Sequence, residues 1–150
     1  MIGFEIDDTG LKRKLRRVSR ALGEDGMRRA FIGIGDKLLR EIDENFRTQG
    51  QKLAGGWAPL RPSTIRRRLN KKKGTIKILQ DTGRLRMSFV RRSVDGKSVV
   101  VGTQDVRAPR LNKGDPSKGL VGRRMIHTKD QSKQAAIAVL DAYLERNVHG

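Results

Sequence analysis

Apolar residues recur along the chain with two different periods, and the switches between them mark out the elements. Residues 2–6 alternate, with Ile2, Phe4 and Ile6 on one side and Gly3 and Glu5 on the other, which predicts a short strand. Thr9 then offers an N-cap hydroxyl, and Leu11, Leu15, Val18 and Leu22 follow at helical spacing. Lys12, Arg13, Arg16, Arg17 and Arg20 lie on the opposite face, and Gly23 ends this first helix. A second helix is expected from Asp25, whose carboxylate suits the positive end of a helix dipole. Phe31, Ile34, Leu38, Ile42 and Phe46 carry its apolar stripe, so residues 26–47 are the expected main core element. Gly33 and Gly35 each cost that helix about 1 kcal/mol against Ala. They either permit a close backbone contact or are simply tolerated.

The pattern then loosens. Residues 48–62 are rich in Gly and Pro and predict a flexible loop, which carries the single tryptophan, Trp57. Ser63 is expected to cap a short helix holding Ile65 and Leu69, ended by Lys71, Lys72, Lys73 and Gly74. Residues 84–93 predict a strand, with Leu85, Met87 and Phe89 on one face and Arg84, Arg86 and Ser88 on the other. Asp95-Gly96 is a hairpin signal, because type I′ turns need positive φ, and Val99, Val100 and Val101 form the return strand. Residues 104–122 are polar and predict a second long flexible loop. Thr128 and Gln131 have capping-box spacing, and Ala136, Val139, Leu140, Tyr143 and Leu144 then form a helical stripe to about residue 147. The expected fold is α+β. A small antiparallel sheet packs against the long helix and the C-terminal helix, in one domain over residues 1–150 with residues 1–25 as an N-terminal strand and helix.

Composition thins the expected core. Aromatics are 4% of the chain and apolar residues 35%, below the roughly 45–50% of a typical globular protein. The net charge of +18 opposes compaction and predicts modest stability for an isolated subunit. It fits either a solvated surface or an anionic partner. Cysteine is absent, which excludes disulfides and thiolate metal sites. The acidic N-terminus lacks the pattern of a signal peptide, and no apolar run approaches the roughly 20 residues that span a bilayer. A cytosolic protein, or a particle assembled in the cytosol, is expected, without membrane contact.

Reactive groups are sparse. His127 and His149 have no further ligand at metal spacing. Asp7-Asp8, Glu24-Asp25 and Glu41, Asp43 and Glu44 fall at strand ends, caps or helix faces, a poor basis for two-metal chemistry. No Gly-rich phosphate loop and no nucleophile with an adjacent base are present. No cofactor, metal or enzymatic activity is expected. The loudest signal is basic: Arg61, Arg66, Arg67, Arg68, Lys71, Lys72 and Lys73 occur in one stretch to Lys77 without an acid. The run contains no aromatic for base stacking, so a nucleic acid would be met through its backbone. A solvated face, or one for an acidic protein neighbour, is slightly favoured.

Several motifs occur in a definite order. A long helix ends in Asn45-Phe46, and a Gly-rich loop follows with Gly56-Trp57-Ala58-Pro59-Leu60. Ser63-Thr64 opens a basic helix. Ile78-Leu79-Gln80-Asp81-Thr82-Gly83-Arg84-Leu85 then leads into a hairpin that closes on Val100-Val101-Gly102-Thr103. Over about residues 26–147 this order resembles the virion-morphogenesis or tail-completion family of tailed phages, especially those with contractile tails. The chain departs from that pattern at Val106-Arg107-Ala108-Pro109-Arg110, where the family often has an aromatic-Ala and a His-Gln-x-Gly. It departs again at Arg123-Arg124-Met125-Ile126-His127, where the usual Pro-containing strand is missing.

The motif residues also have a physical reading. Trp57 can bury its ring in the core or against a neighbouring subunit. Pro59 stiffens the chain beside Leu60. Asp81 and Thr82 can hydrogen-bond their own turn, Gly83 can take the φ that turn demands, and Leu85 enters the core. The resemblance implies a structural virion protein at the head–tail joint, in the tail or neck region, assembled in the host cytoplasm. It implies a homo-oligomeric ring, expected to be hexameric, between portal or head-completion proteins and tail-terminator or tail-tube proteins. The loops at 48–62 and 104–122 are the expected subunit contacts, and phage DNA is a further candidate contact for the basic stretch. The competing reading is a small basic nucleic-acid-binding protein. A metal-dependent nuclease is a weaker third.

Overall fold

In a computed structural model, residues 9–71, 74–95 and 97–148 are described, apart from the side chains of Ser93 and Val148. The strand expected at residues 2–6 lies outside them, as do Lys72, Lys73, Gly96 and His149. The architecture is α+β, as the hydrophobic pattern predicts. The elements run α1 (Thr9–Arg47), α2 (Gln51–Ala54), α3 (Pro62–Leu69), α4 (Arg84–Met87), β1 (Val90–Val94), β2 (Val99–Gly102), α5 (Ala108–Lys113), β3 (Gly114–Asp115), a 3₁₀ turn (Pro116–Lys118), β4 (Leu120–Val121) and α6 (Lys129–Val148). Among the described residues no helix is long and apolar enough to cross a membrane.

The described residues group into two compact units. One holds residues 41–90 and 103–126, the other residues 9–40, 91–102 and 127–148. Helix α1 contributes to both. Its backbone leaves helical geometry at Gly23 (φ 64°, ψ −171°), so it is two helices run together across a kink. The break falls where the apolar stripe predicts it.

The second unit contains the long part of α1, the β1–β2 hairpin from Arg91 onward, and α6. Val18, Ala30, Phe31, Ile34, Leu38, Val101, Ala136 and Leu140 are buried. Gly33 and Gly35 of α1 have a function here. A Cβ on Gly35 would sit 2.9 Å from both Arg91 Cδ and Val99 Cγ2, and one on Gly33 would sit 3.3 Å from Val139 Cγ1. Their absent side chains let the hairpin and α6 approach the helix. The hairpin closes with the Asp95 N–H donating to Ser98 O at 3.1 Å, and Asp95 Oδ1 accepts from the Lys97 and Ser98 N–H groups. Helix α6 opens with the capping box expected from its sequence. The Gln131 N–H donates to Thr128 Oγ1 at 3.2 Å, and the Thr128 N–H donates to Gln131 Oε1 at 2.9 Å.

The first unit is built from short pieces around the end of α1. Phe46 is fully buried, with the Trp57 ring edge-on at 5.2 Å and the Phe89 ring tilted at 5.8 Å. Several expectations are corrected in this unit. The stretch 48–62 is not one loop: α2 forms within it, and α3 begins at Pro62 with Arg61, not Ser63, at the N-cap position. Pro fits the first turn of a helix, where its missing N–H has no intrahelical partner. The stretch 104–122 is likewise ordered as α5, a 3₁₀ turn and the antiparallel pair β3–β4, in register Gly114↔Val121 and Asp115↔Leu120.

The strand predicted at 84–93 starts only at Val90. Residues Arg84–Met87 are a helical turn, which keeps Leu85 and Phe89 on one side at i and i+4 and turns Met87 to solvent, 73% exposed. Alternation and helical spacing share Leu85 and Phe89, and Met87 is the residue that separates them.

Gly50 decides how the Trp57 ring is seated. It has φ +92°, and a Cβ there would lie 2.4 Å from Trp57 Cδ1. Gly50→Ala is expected to cost about 2–4 kcal/mol from strain and overpacking. That lowers the thermal midpoint by several degrees, measurable by calorimetry. An unchanged midpoint would show that the ring is not fixed against Gly50.

Candidate functional site

The motif residues converge in the first unit on the last turn of α1. Asn45 is fully buried, and its side chain bridges three segments. Asn45 Nδ2 donates to Arg124 O and Met125 O at 3.2 and 3.3 Å, while Asn45 Oδ1 accepts from the Leu53 N–H at 2.9 Å. Trp57 is buried, and its Nε1–H donates to Arg124 O at 2.9 Å. Pro59 is exposed and Leu60 half-buried. The carbonyls of Ala58 and Pro59 accept from Arg123 Nε and Nη2 at 2.9 and 3.0 Å. Burial, and after it the Arg68 charge, push the Arg123 guanidinium down from its ordinary value.

The second motif packs against the same helix end. Gln80 is buried, and its Nε2 donates to Phe46 O at 2.8 Å. Leu79 before it holds φ 58°, an unfavourable conformation for a branched side chain, between buried Ile78 and buried Gln80. Thr82 Oγ1 accepts from the Arg84 N–H at 3.4 Å, and Gly83, at φ 76°, occupies the N-cap position of α4. Asp81 accepts at 2.8 Å from Lys71 Nζ. That hydrogen bond holds the Asp81 carboxyl below the usual carboxylate range. Arg86 grips Asp43 with two hydrogen bonds, Nε to Oδ1 at 2.6 Å and Nη2 to Oδ2 at 2.9 Å, and donates to Gln80 Oε1 at 3.2 Å. The bonded Arg86 likewise lowers the Asp43 carboxyl.

The basic stretch divides by role. Arg68 does not belong to the solvated face expected of this stretch. It is buried, and its Nη1 donates to Thr75 O at 3.3 Å and Lys77 O at 2.7 Å, with Asp81 Oδ1 3.9 Å from Nε. An eight-residue helix must seat one face, and Arg68, one turn on from Ile65, shares that side. Arg61 is exposed but donates to Gly119 O at 2.6 Å, and Lys71 is the partner of Asp81. Arg66 and Arg67 are exposed, and their side chains make no hydrogen bond or ion pair among the described residues. Three apolar side chains stand out in the same unit. Leu69 is 64% exposed, Ile76 55% and Met87 73%. Ile76 lies between the two carbonyls that Arg68 holds, and Met87 lines one shallow depression with Thr75, Lys77 and Asp81.

Sequence reading named Asp43, Gln80, Arg86, Arg123 and Arg124 without marking them as the side chains that tie this unit together. Their signal was faint: single polar side chains in or near the motifs, with no periodicity to single them out. The second unit holds an apolar cavity of about 340 Å³, lined by Leu11, Leu15, Phe31, Leu38, Val99 and Leu140 among others, and among the described residues no carboxylate or imidazole lines it. Among the described residues no group of three or more His, Cys, Asp or Glu side chains could hold a metal ion. His127 is buried ahead of α6.

Two short motifs, a buried Asn45-Phe46 helix end and a hairpin are thus assembled in the expected order. The family model for phage virion morphogenesis proteins matches residues 6–144. The chain belongs to the phage virion morphogenesis family. It is therefore a protein of phage virion assembly, and its motif residues knit the first unit together. No curated protein and no solved structure matches it.

The first prediction separates structural cations from surface ones. Arg68→Met leaves the Thr75 and Lys77 carbonyls without their donor and is expected to cost about 2–3 kcal/mol. Arg66→Gln with Arg67→Gln should change stability by less than about 0.5 kcal/mol in the same denaturant titration. Equal destabilisation would contradict the division. The second prediction concerns acid. The Arg107 guanidinium bonded to Asp105 lowers its carboxyl to about 2. A depressed carboxyl adds stability above its unfolded value of about 3.9 and loses it as pH falls toward the folded value. Asp105→Asn should remove on the order of 1 kcal/mol at neutral pH, discounted because Arg107 is solvent-exposed, and flatten the fall between about pH 4 and 2. Parallel acid profiles for the two proteins would show that this pair adds nothing.

Proposed function

We propose that this chain is a non-enzymatic structural subunit of the head–tail joint, a ring-forming neck or tail-completion protein that docks through the α3 face. The observation that carries the reading is the surface of the first unit. Arg66 and Arg67 stand unpaired beside exposed Leu69, and Ile76 and Met87 are exposed in the segments that flank the helix end. Protein interfaces combine apolar contacts with arginine, and a purely solvated basic face has no need of the apolar members. The carboxylates Asp43, Asp81 and Asp105 are each already bound to a cation, so their charge is spent within the fold.

A homo-oligomeric ring, hexameric by resemblance, would meet a portal or head-completion protein on one side and a tail-terminator or tail-tube protein on the other. An acidic patch on one of these neighbours would face Arg66 and Arg67. The ordered segments from Gln51 to Ala54 and from Ala108 to Val121 are the candidate contacts between copies. Segments so rich in short turns gain burial when subunits assemble.

A phage carrying Arg66→Glu and Arg67→Glu tests this directly. The purified variant should fold as the parent does. In lysates, filled heads and finished tails should accumulate separately, with joining reduced on the order of a hundredfold, equivalent to about 2.7 kcal/mol of docking energy. Normal yields of joined particles would rule out a docking role for this face.

A further inference from the structure

The second unit carries a set of cations that the α3 face does not include. Arg13, Arg16, Arg17 and Arg20 lie at i, i+3, i+4 and i+7 of the first part of α1, and all four are exposed. At about 100° per residue these positions share one face, opposite buried Leu11 and Val18. Among the described residues none of the four side chains makes a hydrogen bond or ion pair. No acid occurs between Thr9 and Gly23. The helix is tied by its flank, where Lys14 pairs with Asp141 of α6, so the arginine stripe faces outward from a seated element.

A second cluster belongs to the same unit. Arg28, Arg91 and Arg92 line one shallow depression with Ile32 and Val94. Asp36 pairs with Arg91, which leaves Arg28 and Arg92 as surplus charge.

We propose that this arginine surface binds the sugar-phosphate backbone of duplex DNA without choice of sequence. Two features favour DNA over an acidic protein. Among the described residues the stripe has no large apolar side chain: its neighbouring positions on the helix include Thr9, Gly10, Lys12 and Ser19, so it lacks the apolar centre of a protein interface. Phosphate contacts need no such centre, and half or more of protein–DNA hydrogen bonds go to the backbone. The four guanidiniums span roughly 10 Å of helix axis, about three steps of a DNA strand at 3.4 Å each. Among the described residues no aromatic lies on this face, so single strands find no stacking platform. The surface is independent of the α3 reading, because it uses other residues in the other unit.

The test is the salt dependence of binding by the full chain to a labelled 30-base-pair duplex of random sequence, read by fluorescence anisotropy. The variant Arg13→Gln, Arg16→Gln, Arg17→Gln, Arg20→Gln keeps helix propensity. It should reduce the slope of log K against log salt by about 3–4, because each phosphate that a cation neutralises adds about 0.9 to that slope. Arg28→Gln with Arg92→Gln should reduce it by up to about 2. Arg66→Gln with Arg67→Gln should leave the slope unchanged, and a second duplex sequence should bind equally. The proposal is overturned if the fourfold variant keeps the parent slope, or if the α3 variant lowers the slope in proportion to its charge. It is also overturned if polyglutamate binds through the four arginines and duplex DNA does not.

Discussion

The first unit depends on hydrogen bonds from side chains to loop carbonyls. Short irregular segments expose backbone acceptors that no helix or sheet satisfies, and a chain with few aromatics has little apolar mass to hold such segments in place. Arginine solves both problems, since its five donors reach several acceptors and its stem packs. Arg61 bonds Gly119, Arg68 bonds Thr75 and Lys77, Arg123 bonds Ala58 and Pro59, and Arg124 bonds Leu53. Trp57 and Asn45 close the set on the Arg124 carbonyl. Part of the positive charge is therefore structural, and only the unpaired remainder is available to partners.

That remainder is sorted by its surroundings. On α3, unpaired arginines sit in the unit that exposes Leu69, Ile76 and Met87, a mixture suited to a protein surface. On the first part of α1 they sit on a face without large apolar members, which suits phosphates. Net charge alone could not make that distinction, because a charge of +18 describes the whole chain and not where each cation is spent. Membership of the phage virion morphogenesis family gives both surfaces a setting in particle assembly.

The regular parts of the fold were legible in the sequence. The α1 stripe, its break at Gly23, the β1–β2 hairpin and the Thr128–Gln131 cap each depend on neighbours within a few residues, and local spacing reports them. The irregular parts were hidden for the same reason. Leu85 and Phe89 fit a strand or a helical turn equally well, and exposed Met87 decides between them only in three dimensions. The segment at 104–122 reads as loop because its order comes from the Asn112 side chain holding the Met125 N–H and from the β3–β4 pair, not from periodicity. Arg68 looked like one more surface cation, since nothing in a run of three arginines says which one turns inward. Trp57, by contrast, was legible as an anchor, and the structure places it in the core of the first unit.

Cryo-electron microscopy of the intact phage particle tests the central claim most directly. The account predicts density for this chain as a ring at the head–tail joint, with Arg66, Arg67 and Leu69 buried against a neighbouring protein. A chain absent from the joint, or present there with the α3 face open to solvent, would contradict it.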